Sequence, residues 1–64
     1  MKVFIDKKLV LESQRGMTVH QIMKKLGLLE TEYLPYDPSL CLPTTPDFRV
    51  PDDGTIVLIP VLRT

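Results

Sequence analysis

Residues 16–28, GMTVHQIMKKLGL, spell a helix with both ends marked. Thr18 is a good N-cap, because its hydroxyl can accept a bond from an orphan N–H of the first turn. Gln21 stands three residues on and completes a capping box. Met17, just before the cap, and Ile22, one turn into the helix, can close a hydrophobic staple. Val19, Ile22, Met23 and Leu26 form one apolar stripe at i, i+3, i+4, i+7. Lys24 and Lys25 fall in the last turn, where the helix dipole favours cations, and Gly27 supplies a left-handed stop. A helix of about nine residues does not hold in water by itself. It must lie on a sheet, and the rest of the chain has to supply one.

The opening MKVFID supplies the first strand. Met1, Val3 and Ile5 alternate with Lys2, Phe4 and Asp6, the period of a half-buried strand. Met1, Val3 and Ile5 are expected to face the helix and Phe4 the open side. After the polar KK break, LVLES resumes with Leu9 and Leu11 expected on one face, so the two segments read as an antiparallel hairpin. Short strands are expected at Glu32–Leu34 and over LCL at 40–42. All six prolines lie between Pro35 and Pro60, and proline cannot donate to a sheet ladder, so this stretch reads as loops and edge strands. PDDGT marks a tight turn. TIVLIPV is apolar on both faces and reads as a central strand. Ile56 and Leu58 are expected to face in, with Val57 and Ile59 out.

Strand, strand, helix, weak strands, strand is the order of a β-grasp arrangement: a hairpin, a helix laid across it, and a last strand paired beside the first. The helix sits in the crossover that a right-handed connection requires. The expectation is one α+β domain over residues 1–64, with a mixed four- to five-stranded sheet and one main helix.

Several function classes drop out on composition. Eight basic and eight acidic side chains cancel, so no field draws the chain to nucleic acid or anionic lipid. No apolar run approaches the roughly 20 residues that span a bilayer. MKVFIDKK sets charges where an apolar leader would begin. The single cysteine cannot pair within the chain, which suits a reducing compartment, and it cannot ligate an iron–sulfur cluster as four cysteines do. The expectation is a cytoplasmic monomer.

Three stretches, MKVFID, GMTVHQIMKKLGL and PDDGTIVLIPV, resemble the small sulfur carriers of the ThiS/MoaD type, themselves ubiquitin-like. Their helix pattern G-x-T-V-x-x-L-x-x-x-L-G-L is met by Gly16, Thr18, Val19, Met23 (or Ile22), Leu26, Gly27 and Leu28. Gly54, Ile59, Pro60 and Val61 echo their ending, G-D-x-V-x-x-x-P-P-V-x-G-G. The likeness covers about two thirds of the chain; the middle, YLPYDPSLCLPTTPDFRVP, departs from it and lacks the usual Asn-Gly hairpin. The resemblance implies a C-terminal carboxylate that is adenylated, converted to a thiocarboxylate and used to hand over sulfur. Glycines suit such a tail because a narrow channel leaves no room for a Cβ. Here Arg63 and Thr64 stand where the resemblance places Gly-Gly. Either this is a carrier-like fold without carrier chemistry, or the gene continues to Gly-Gly beyond Thr64.

The candidate chemistry is sparse. His20 reads as an exposed helix histidine, since a base needs a partner and no acid stands near it in sequence. Cys41, between Leu40 and Leu42, reads as buried or at a loop edge, with nothing beside it to depress its pKa. Lys7-Lys8 and Lys24-Lys25 read as solvated pairs. No catalytic residue, metal site or cofactor is expected. Phe4, Val57 and Ile59 are the set with functional promise, because alternation along the first and last strands brings them together on the open face. In ubiquitin-like proteins that face is a docking surface, so the resemblance implies a protein partner, an activating or sulfur-accepting enzyme, in cofactor synthesis or tRNA thiolation. The alternative is a non-catalytic β-grasp interaction module with no sulfur chemistry.

Overall fold

The computed structural model describes residues 1–61. In chain order the elements are β1 (Lys2–Ile5), β2 (Lys8–Glu12), α1 (Val19–Leu26), β3 (Tyr33–Asp37), β4 (Leu42–Pro43) and β5 (Thr55–Pro60). The strands form one five-stranded sheet in the order β2-β1-β5-β3-β4. β1 and β5 run parallel and every other neighbour pair runs antiparallel. This is the α+β, β-grasp-like arrangement, with one helix on a mixed sheet and the most apolar strand at its centre.

Strand β5 holds the centre because it buries residues against the helix and pairs on both edges. Val3 sits beside Ile56 and Ile5 beside Leu58. Val3, Ile56 and Leu58 join Val19, Ile22, Met23 and Val50 in a core from which water is almost wholly excluded, with Met1 at its margin. Burying each such side chain contributes roughly 1.5–3 kcal/mol. Leu26, the last residue of the expected helix stripe, is only partly buried and packs at the core's edge.

Helix α1 is capped as its sequence implies. Gln21 N donates to Thr18 Oγ1 (3.2 Å) and Thr18 N donates to Gln21 Oε1 (3.1 Å). The first two helical N–H groups find carbonyls elsewhere, Val19 N on Phe48 O (2.9 Å) and His20 N on Pro46 O (2.8 Å). No donor of the first turn is left bare. At the far end Gly27 has φ +71°, and Leu28 N reaches back to Met23 O (2.9 Å), the bond pattern of a Schellman stop.

The segment that feeds the helix start, residues 46–52, was featureless in sequence. It supplies Val50 to the core and is fastened by Val50 N on Met17 O (2.8 Å). It also crosses Gly16 so closely that a Cβ there would lie 2.0 Å from Val50 O. Gly16 N donates to Asp52 Oδ1 (2.7 Å).

Three sequence expectations are corrected. Leu9 and Leu11 do not share a face: Val3 stands opposite Leu11 but Phe4 opposite Leu9, so Val10 is an extra residue, a β-bulge. Val10 and Leu11 both pack on the core, while Leu9 lies on the other side. The third strand spans Tyr33–Asp37 rather than Glu32–Leu34. It runs through Pro35, which is tolerated because its backbone faces the thinly paired β4 side, where Pro35 O accepts from Thr44 N (2.9 Å). The LCL strand shrinks to Leu42–Pro43, since Cys41 adopts φ +55° and ends the extended run.

Candidate docking face

The helix covers one side of the sheet, and the strand pairing orders what is left on the other. Phe4 lies beside Leu9 on one flank and beside Val57 on the other. Val57 lies beside Tyr36, and Tyr36 beside Pro43. Residues directly opposite in neighbouring strands share a face. Leu9, Phe4, Val57, Tyr36 and Pro43 therefore form one row across the whole sheet, about 19 Å long at the usual strand spacing. Ile59 and Leu34, themselves a cross-strand pair, begin a second row alongside. None of the seven belongs to the core cluster or packs against it. Leu9, Leu34 and Ile59 are 45%, 43% and 40% exposed.

Phe4, Val57 and Ile59 thus stand together on the helix-free face, with Phe4 and Val57 in direct register. Val3 is fully buried on the opposite side, which fixes the register of β1. Leu9, Leu34, Tyr36 and Pro43 escaped sequence reasoning. Leu9 is there only because of the bulge, and the other three belong to strands whose extent the prolines concealed. The row is bordered by opposite charges, as Lys2 pairs with Glu12 across β1 and β2.

One rim of the face carries a loop built on Asp37. This carboxylate is almost buried, and its Oδ1 accepts from Ser39 N (2.9 Å), Ser39 Oγ (2.7 Å) and Leu40 N (3.3 Å). The Ser39 side-chain bond, with the two backbone bonds, holds the Asp37 carboxyl below its ordinary pKa. The loop delivers Cys41 to solvent, correcting the expectation of burial in favour of the loop edge. Its Sγ donates to Pro38 O (3.4 Å). Desolvation, then the neighbouring Cys41 and Asp37, push the Tyr36 phenol above its ordinary value.

Away from this face His20 is exposed on α1, as its helix position implies, but it does have an acid partner: Nδ1 is bonded to Glu30 Oε1. The pair is ten residues apart, and only the reversal at Gly27 brings it together. Among the described residues no group of three or more His, Cys, Asp or Glu is placed to hold a metal ion, and no helix is long and apolar enough to cross a membrane. Arg63 and Thr64 lie outside the described residues. Before them, Val61 N donates to Glu32 O (2.8 Å), extending the β3–β5 pairing. Comparison with family models, curated proteins and solved structures gives no match.

Proposed function

We propose that this chain is a ubiquitin-like, sulfur-carrier-like protein that acts by docking its open sheet face on a partner enzyme of sulfur transfer. The observation that carries the reading is the apolar row across all five strands on the side the helix leaves bare. A patch of this kind amounts to on the order of a few hundred Å², below the roughly 800 Å² per partner of a standard stable interface. It suits transient docking. The border charges cancel and the chain is neutral, so the fitting partner has an apolar centre without a strong field of either sign. Sulfur transfer in cofactor synthesis or tRNA thiolation rests on the resemblance in the helix and the ending. Without that chemistry the same face makes the chain a plain β-grasp interaction module.

The test uses a carrier-activating, adenylate-forming enzyme as probe, with binding measured by calorimetry. The parent chain should bind, and Val57→Ser and Ile59→Ser should each weaken binding about tenfold, as loss of a central apolar contact does. Unchanged affinity in both variants sinks the docking face. No binding by the folded parent sinks the sulfur-transfer partner and leaves the module. With ATP and magnesium present, intact mass should show neither adenylate nor thiocarboxylate, because Arg63 and Thr64 put side chains where such a channel takes none.

A further inference from the structure

Met1 is only 5% exposed, and its α-ammonium donates to two backbone carbonyls, Ser13 O (2.7 Å) and Asp52 O. Ser13 stands just past the end of β2, and Asp52 closes the strap of residues 46–52. They lie 12 and 51 residues from Met1 along the chain. Neighbouring bonds hold the same place, from Ser13 N to Met1 O (2.9 Å) and from Lys2 N to Gly54 O (3.0 Å). The Met1 side chain belongs to the core cluster, which fixes where the ammonium sits.

An ammonium suits both carbonyls and an amide does not. The ammonium has three donors, whereas an acylated or extended Met1 nitrogen is a planar amide with one. The amide leaves one carbonyl without its partner and removes the charge that strengthens both bonds. It also has to fit an acyl carbon beside a residue that is nearly enclosed. The strap has most to lose. Asp52 is held by its carbonyl at Met1 and by its carboxylate at Gly16 N (2.7 Å), and two residues earlier Val50 enters the core. The ammonium thus fastens the start of β1, the end of β2 and the strap at one point.

We propose that Ser13 O and Asp52 O form an ammonium seat, and that acylation of the Met1 nitrogen is a switch acting on it, so that modification and complete folding oppose one another. Acyl transfer from a thioester forms the N–C bond, breaks the C–S bond, and releases a thiol and a proton, so charge and donors are lost together. On the unfolded chain the amine is open to this reaction. Once seated, the nitrogen is shielded and its lone pair is held as an N–H bond. A chain acylated first folds with its strap loosened. The inference rests on neither the docking face nor sulfur transfer.

Ligation of two synthetic segments at Cys41, a free cysteine, allows the Met1 nitrogen to be varied alone. Urea unfolding then compares the parent with three chains: one Nα-acetylated, one with a glycine added before Met1, and one whose first residue is the des-amino analogue of methionine. The des-amino chain loses the donors without adding bulk. The folding equilibrium constant should fall about ten- to a hundredfold in each of the three, the worth of a charged hydrogen bond. Amide exchange at residues 50–54 should quicken more than exchange in α1. An activated acetyl ester, followed by mass mapping, should modify Met1 more slowly in the folded parent than in urea. A des-amino chain as stable as the parent overturns the seat. An acetylated chain as stable as the parent, or equal acetylation rates at Met1 with and without urea, overturns the switch.

Discussion

Two glycines bound the helix segment, and they should fail for different reasons when replaced by alanine. At Gly16 the obstacle is space. A Cβ would stand 2.0 Å from Val50 O and 2.9 Å from the carbonyl carbon of Pro51. Both are backbone atoms, so the strap at 46–52 has to move by more than an ångström. Overpacking of this kind costs about 1–3 kcal/mol. The movement also strains the bonds from Val50 N to Met17 O and from Gly16 N to Asp52 Oδ1, at about 1 kcal/mol each. The sum is about 3–5 kcal/mol, while a chain of this length has only about 3–10 kcal/mol of stability in all. At Gly27 the obstacle is conformation alone. Its φ is +71° and nothing lies within 4 Å of the added Cβ, so Gly27→Ala should cost about 1–2 kcal/mol. Urea unfolding followed by circular dichroism separates them. Gly27→Asn should recover part of the loss, because Asn tolerates the left-handed region, whereas Gly16→Asn should not. If Gly16→Ala unfolds at the same urea concentration as Gly27→Ala, the strap is not packed against Gly16 and the account of the helix start is wrong.

Ile22→Ala should cost about 2–5 kcal/mol, as a fully buried side chain leaves a cavity, and Leu26→Ala distinctly less, because Leu26 sits at the core's edge; equal losses in urea melts would mean the helix is rotated from the orientation described. Thr18→Ala should cost about 1 kcal/mol through the cap, lowering the melting temperature by about 4–8 °C in a domain this small. The Asp37 carboxyl has its pKa lowered in the folded state, so its stabilisation is complete above the ordinary value of 3.8 and is lost as pH falls through the lower folded-state value. Stability measured from pH 6 downward should therefore fall more steeply in the parent than in Asp37→Asn, and parallel curves would refute this. Cys41→Ser should move the Tyr36 phenol back down toward its ordinary value in an ultraviolet titration, since Cys41 contributes to raising it.

What could be read from the residues was what local chemistry writes locally. The cap at Thr18, the stop at Gly27 and the alternation of β1 and β5 each depend on residues within a few positions, and the structure bears out the helix, the two strands and their register. What could not be read depends on partners distant in sequence. The bulge at Val10 exists only relative to β1, which offers Val3 and Phe4 to three residues of β2. Val50 is core because the strap containing it is hung from Met17, and no periodicity announces that. Pro35 concealed β3, since a proline is excluded from a strand only where its nitrogen faces a paired neighbour. The open face was half legible for the same reason: Phe4, Val57 and Ile59 come from the strands with clean alternation, and Leu9, Leu34, Tyr36 and Pro43 from the strands without it.

The bulge in β2 has a further effect on how copies of this protein behave toward one another. β2 is an outer strand of the sheet, and its sequence, KLVLE, is self-complementary when reversed: two antiparallel copies centred on Val10 would set Lys8 of one against Glu12 of the other. Such a pairing would join two sheets edge to edge and set their apolar faces side by side in an unintended dimer. With Val10 inserted, Leu9 and Leu11 point to opposite sides, so the leucines that should meet across that seam cannot lie on one face. The bulge thus spoils the template, and Pro35, Pro43 and a two-residue β4 blunt the other edge.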